Sequence, residues 1–244
     1  MREEPNFKEL SVVIPLHNEQ ESVEPLIEEI HAALGGIDYE IICIDDGSSD
    51  GTLDRLRLLS KASPRLRILH HSRKSGQSKA VWNGVRYSLS PWIATLDGDG
   101  QNDPADIPRL FARVRQGDAG KPACVCGWRR NRQDTLLKRL SSTVANYVRS
   151  RLLRDNTPDT GCGLKVFSRE AFLLLPCFDH MHRFLPALFL RGGYRIESLE
   201  VNHRPRNRGE SKYGLNNRLW AGIIDLLGVY WLLRRSGLSE VVEE

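Results

Sequence analysis

The chain has 244 residues, 40% hydrophobic and 27% charged, with a formal net charge of +4. That length fits one domain with at most a small appendage, and the apolar blocks running throughout exclude a disordered chain. The five cysteines (Cys43, Cys124, Cys126, Cys162, Cys177) are odd in number and scattered, several in apolar surroundings; this argues for reduced thiols in a cytosolic compartment, not a disulfide scaffold or a zinc site.

Ser11–Pro15 reads as a short buried strand, and Glu19–Leu34 as a helix with Val23, Leu26, Ile27, Ile30 and Leu34 on one stripe. Tyr39–Ile44 is a second strand, Thr52–Ser60 a helix, Leu66–His70 a third strand, Ser78–Ser88 a helix, Trp92–Leu96 a fourth strand and Asp106–Arg115 a helix. Strand alternating with helix predicts an α/β fold, a Rossmann-like, mostly parallel sheet flanked by helices. Beyond Gly120 the alternation weakens: Ala123–Cys126 and Gly163–Phe167 are expected strands, and Leu136–Leu153 a basic amphipathic helix.

Leu219–Leu233 is apolar except for Asp225 and is flanked by Arg218, Arg234 and Arg235. It falls short of the roughly 18 uninterrupted apolar residues of a spanning helix and is expected to be an amphipathic helix lying in the membrane interface; a buried helix or a dimer contact is the plainer alternative. The expected division is a catalytic domain over 1–215, a membrane-associating helix over 216–235 and a flexible acidic tail over 236–244. The polar N-terminus carries no signal-peptide core. The expected location is therefore cytoplasmic and peripheral, at the cytoplasmic face of a membrane.

In parallel sheets, ligands collect at the carboxyl ends of strands. Three strands here end in polar clusters: Pro15–Glu19, Asp45–Asp50 and Asp97–Gln101. In Asp97-Gly98-Asp99-Gly100-Gln101 two carboxylates at i and i+2 can converge on a divalent ion, and a hard cation such as Mg2+ or Mn2+ takes oxygen ligands shared with substrate phosphates. Taken alone, the motif reads better as a solvent-facing Asx turn. The acids of Asp45-Asp46-Gly47 can accept from a base N–H or a ribose hydroxyl, whereas Asp50 and Thr52 read as helix caps. Basic stretches at Lys121–Arg154 and Arg191–Arg218 favour phosphate or an anionic surface. They lack interleaved aromatics, so nucleic acid is not an expected partner.

Taken together and in order, Ser-Val-Val-Ile-Pro-Leu-His-Asn-Glu, Ile-Asp-Asp-Gly-Ser-Ser-Asp-Gly-Thr and Asp97-Gly98-Asp99 resemble the inverting family-2 glycosyltransferases of GT-A fold. The later segments Gly127-Trp128-Arg129, Lys138-Arg139-Leu140-Ser141, Asp159–Lys165 and His203–Tyr213 are similar to the dolichol-phosphate mannose synthase group and its bacterial polyprenyl-phosphate relatives. Several relatives carry a multi-span tail that does not follow here; membrane attachment is then expected through the short helix or a partner subunit, and a homo-oligomer is left open.

The resemblance implies a metal-dependent, inverting transfer from a nucleotide-diphosphate sugar (GDP-mannose or a UDP-hexose) to polyprenyl or dolichyl phosphate. It implies Asp97, Asp99 and Gln101 as metal ligands, and Pro15, Asn18, Glu19, Asp45 and Asp46 around the donor, with Asp45 behind the others. Arg129, Arg206 and Lys212 would neutralise donor phosphate oxygens, and Arg139 with Ser141 would hold the acceptor phosphate; Asp99, Arg129 and Arg139 are the implied catalytic set. The rivals are a family-2 enzyme with a hydroxyl acceptor, for which Asp159 is the candidate base, and a non-catalytic nucleotide-sugar-binding subunit.

Overall fold

The structure, a computed structural model, describes residues 8–116, 122–130, 148–205 and 215–235. Its strands are β1 (Leu10–Leu16), β2 (Tyr39–Asp45), β3 (Leu66–His70), β4 (Trp92–Thr95), β5 (Pro122–Trp128), β6 (Lys165–Ser168) and β7 (Arg195–Glu200). The helices are α1 (Val23–Ala33), α2 (Thr52–Ala62), α3 (Gln77–Tyr87), α4 (Ile107–Arg115), α5 (Arg169–Leu173), α6 (Leu185–Arg191) and α7 (Leu215–Leu233), with short 3-10 turns at Pro104–Asp106 and Met181–Arg183.

The strands form a single seven-stranded sheet in the order β3-β2-β1-β4-β6-β5-β7. Every pairing is parallel except the two made by β6, which runs antiparallel to β4 and β5. The reversal brings Lys165 opposite both Thr95 and Cys126, so the chain leaving β4 and the chain leaving β5 meet over one residue.

Both sheet faces are covered, which explains why β1 and β2 read as unbroken apolar runs. Leu10, Val12, Ile14 and Leu16 pack with α1 and α4 on one face, while Val13, Ile42 and Ile44 pack with α3, α5 and α6 on the other. The α1 stripe expected from the sequence is buried at Val23, Leu26, Ile27 and Ile30. The helix itself starts at Val23, four residues later than expected, because residues 18–20 are bonded to the loop after β2. Of the basic helix expected over Leu136–Leu153, residues 148–153 are helical and the rest lies outside the described residues.

The terminal helix differs from the amphipathic expectation. Val229 is buried in the second core with Phe167, Phe172 and Phe189, and Leu226, Tyr230, Leu232 and Leu233 pack against it. The opposite side presents Ile223, Ile224, Leu227 and Trp231 to the exterior. Its described part is therefore apolar on both sides, as expected of a helix that is covered all round. Asp225 is accommodated by a hydrogen bond with His180 Nδ1 at 2.7 Å. No helix among the described residues is long and apolar enough to cross a membrane.

Candidate active site

The three polar clusters predicted from the sequence gather at one end of the sheet because β1, β2 and β4 are parallel neighbours. Gly98 sits so close to Leu16 and the Pro15 carbonyl that a Cβ there would meet the carbonyl oxygen at 3.2 Å. The first and third clusters thus touch through backbone.

The first two clusters are bonded together. The Asn18 N–H donates to Ser48 Oγ at 2.9 Å, the Glu19 N–H to Thr52 Oγ1 at 2.9 Å, and the Ser49 N–H to Asn18 Oδ1 at 2.8 Å. Asn18 adopts φ +57°, a left-handed conformation that Asn tolerates. Its side chain is engaged in this loop pairing. Glu19 is half-buried beside it and accepts from Ser22. Asp50 bonds the N–H and hydroxyl of Thr52, at 3.0 and 2.5 Å, which is the local role expected of it.

Asp45 is fully buried and paired with His70 Nδ1 at 2.9 Å, so it supports the strand end from beneath. Asp46 points to the other side of the sheet. It accepts from His71 at 2.8 Å, the Ser75 N–H at 2.7 Å and the Gly76 N–H at 2.8 Å. Burial alone would raise its pKa, but these hydrogen bonds outweigh it and hold the carboxyl below its ordinary value.

The loop after β4 is closed by buried Asn102, whose Oδ1 accepts from the Asp97 N–H at 3.2 Å. Asp99 forms the Asx turn, accepting from the Gln101 N–H at 3.1 Å, and Gly100 has φ +73°. The Gln101 carbonyl accepts from the Arg204 N–H at 3.0 Å, and Arg204 also pairs with Glu29 and Asp103. Asp97 accepts from Gln77 Nε2 at 2.8 Å, and its carboxylate lies against Gly163, where any Cβ would overlap it. Burial and then the charge of Asp99 push the Asp97 carboxyl up, with Lys165, Arg129 and Gln77 opposing them.

Asp97 and Asp99 share one tight loop, close enough for the charge of Asp99 to act on Asp97. Among the described residues, no group of three or more His, Cys, Asp or Glu could hold a metal by itself. Two carboxylates and Gln101 therefore fit a hard divalent ion that takes its remaining oxygens from a diphosphate and water.

Opposite this loop, at the end of β5, Arg129 forms a bidentate ion pair with Asp159, Nε to Oδ2 at 2.7 Å and Nη2 to Oδ1 at 3.0 Å. Burial disfavours the guanidinium, but Asp159 more than offsets this and raises the Arg129 pKa. The loop carrying Asp159 is anchored by a buried ion pair, Arg149 to Asp155, and by Arg149 to the Thr157 carbonyl. Buried Lys165 holds the loop's far end by donating to the carbonyls of Thr160 and Cys162. Arg139, Ser141, Arg206 and Lys212 lie outside the described residues.

Sequence reading did not assign Ser75, Gly76 and Gln77, which bond the two key acids. The available signal was their position, directly before and at the start of a helix.

A mostly parallel sheet with polar clusters at the ends of three neighbouring strands and a two-carboxylate loop after the third is the GT-A arrangement. Residues 11–174 match the family model "Glycosyl transferase family 2", and the chain belongs to that family of glycosyltransferases.

Among curated relatives it is 37% identical, over 93% of this chain and 68% of the relative, to dodecaprenyl-phosphate galacturonate synthase of Rhizobium johnstonii. It is 34% identical, over 86% of this chain and 64% of the relative, to undecaprenyl-phosphate 4-deoxy-4-formamido-L-arabinose transferase of Aeromonas hydrophila. The chain spans about two thirds of the length of these relatives. Glucosyl-3-phosphoglycerate synthase from Mycobacterium tuberculosis, solved with Mg2+ and uridine diphosphate, shares the fold with a TM-score of 0.70 at 19% identity, over 95% of this chain and 81% of that one. The same enzyme with Mn2+, uridine diphosphate and its product gives a TM-score of 0.69 at 20% identity, over 95% and 82%.

Proposed function

We propose that this chain transfers one sugar, with inversion, from a nucleoside-diphosphate sugar to a polyprenyl phosphate. The observation that carries this reading is the Arg129–Asp159 pair. A hydroxyl acceptor needs a general base, and the candidate acid, Asp159, spends both carboxylate oxygens on Arg129. A phosphate monoester is already anionic near neutral pH and needs no base. The names of the two relatives, both acting on polyprenyl phosphate, point to the same acceptor class.

In this reading Asp97, Asp99 and Gln101 hold Mg2+ or Mn2+, which would neutralise charge on the donor diphosphate. Pro15, Glu19 and Asp46 line the nucleoside side, with Asn18 and Asp45 shaping the walls. Arg129, Arg206 and Lys212 stabilise the departing diphosphate, a task for which Arg forks and Lys point charges are suited. Arg139 and Ser141 hold the acceptor phosphate behind the anomeric carbon, so that alignment supplies much of the rate. The terminal helix rests on a membrane surface through Ile223, Ile224, Leu227 and Trp231. Arg234 and Arg235, stacked on Tyr230 and Trp231 at 3.6 and 4.8 Å, supply cations at its edge. The sugar is expected to be a hexose, a uronate or a modified pentose, the last two by likeness to the relatives.

The test is a transfer assay with purified protein, Mg2+, a short polyprenyl phosphate and a panel of radiolabelled UDP- and GDP-sugars that includes a uronate. Label entering the organic phase with one donor supports the proposal and identifies the sugar. Measurable donor binding with no lipid product across the panel would instead favour a hydroxyl acceptor or a binding role.

A further inference from the structure

Four consecutive residues at the start of α3 bond three separated parts of the site. The Ser75 and Gly76 N–H groups hold Asp46 at the end of β2, at 2.7 and 2.8 Å. Gln77 Nε2 holds Asp97 beyond the end of β4, at 2.8 Å. Ser78 Oγ, one residue on, lies 2.7 Å from His182 Nδ1 and accepts the His182 backbone N–H at 3.3 Å, across 104 residues of sequence.

We propose that Gln77 is a positioning residue for Asp97, and that His182, through Ser78, fixes the helix turn that carries Gln77. This rests on the reading of Asp97 as a metal ligand given above.

The chemistry of each contact supports the assignment. One oxygen of Asp97 accepts from Gln77, and the carboxylate is pressed against Gly163, so the group is held on two sides. A metal-binding carboxylate must be fixed without being neutralised. A Lys or Arg in place of Gln77 would compete with the cation, whereas a neutral amide orients the carboxylate and leaves its charge for the ion. Gln77 is itself exposed, so it has no packing role that would explain its place.

Ser78 has one hydroxyl proton. Its oxygen accepts the His182 backbone N–H and keeps a second lone pair, so it can donate to Nδ1 or accept from it according to the ring tautomer, and the imidazole is neutral in either case. Burial, which pushes this imidazole down to about 3, agrees with that state. The two bonds tie α3 to the Met181–Arg183 turn, in which Met181 is buried and which follows His180, the partner of Asp225 on α7. The helix turn bearing Gln77 is thereby fixed through the residue that follows it.

The test measures Mn2+ binding by electron paramagnetic resonance, with Mn2+ alone and with UDP or GDP added, on folded variants checked by thermal unfolding. Gln77→Ala is expected to weaken Mn2+ binding by about tenfold, the scale of one lost hydrogen bond to a charged group, without lowering the unfolding midpoint. His182→Phe, which offers Ser78 no side-chain hydrogen-bond partner, should weaken Mn2+ binding several-fold, and His182→Asn, whose amide can accept from Ser78 or donate to it, should restore most of it. Unchanged Mn2+ affinity in Gln77→Ala would overturn the role of Gln77, and equal losses in His182→Phe and His182→Asn would overturn that of His182. Asp97→Ala separates this from the reading beneath it: if that variant binds Mn2+ like the wild type, the metal assignment itself is wrong.

Discussion

Arg129 and Asp159 meet through two parallel hydrogen bonds with both side chains less than a tenth exposed. Such a pair is costly to break from one side, because the survivor is left charged and dry. Asp159→Ala is therefore expected to lower stability by about 3 kcal/mol in urea unfolding, and to lower transfer because Arg129 loses its fixed orientation. A loss of turnover with unchanged stability would point instead to direct chemistry by Asp159.

Gly163 offers a narrower probe of the two-carboxylate loop. A methyl group there overlaps Asp97, and the Gly163 carbonyl is held by Thr95 Oγ1 at 2.8 Å, which restrains the backbone from yielding. Gly163→Ala is expected to displace Asp97 and reduce turnover by at least a hundredfold, comparable to the loss on treatment with a chelator, while circular dichroism stays native. Near-normal turnover would show that Asp97 has room to move without consequence.

The neutral state of His182 gives a pH signature. Its pKa falls from the ordinary 6.5 to about 3, by burial first and then by repulsion from Arg183, Lys165 and His180. As pH falls, the unfolded chain takes the proton first. The stability contributed by the neutral ring is complete above 6.5 and is lost progressively between about 6.5 and 3. Urea midpoints should decline across this window in the wild type and less steeply in His182→Asn, which cannot be protonated. Parallel declines would show that the ring titrates normally.

The outer stripe of α7 can be tested without touching the site. Ile224 and Leu227 are 67% and 57% exposed. Ile224→Glu with Leu227→Glu should leave the unfolding midpoint unchanged and reduce co-sedimentation with anionic lipid vesicles by tenfold or more, since apolar burial and electrostatic attraction are both lost. Undiminished vesicle binding would mean that another surface makes the contact.

Much of the framework was legible from local pattern. The unbroken apolar runs of β1 and β2 and the 3.6-residue stripe of α1 are determined by sequence because burial on two faces or on one leaves a periodic trace. Pro15, Asp46, Asp97 and Asp99 stood out because polar clusters recur at the ends of three buried strands, where ligands of such sheets collect. The same reading missed α5, α6 and β7, which are short elements, and expected an amphipathic α7 where the described part is apolar on both sides. Local pattern does not distinguish Asp45 from Asp46, and only the family resemblance set Asp45 behind; in the structure Asp45 pairs with His70, and Asp46 with His71 and the N–H groups before α3.

What only the tertiary structure decided is which groups meet. The antiparallel insertion of β6 places Lys165 between the chains leaving β4 and β5, and so sets the Asp159–Gly163 loop between Arg129 and Asp97. The bonds from Gln77 to Asp97 and from Ser78 to His182 join residues 20 and 104 positions apart. Local propensity carries no information about such contacts; they exist because the packed sheet brings the ends of distant strands to one edge, where a few side chains must satisfy each other's charge and hydrogen bonds.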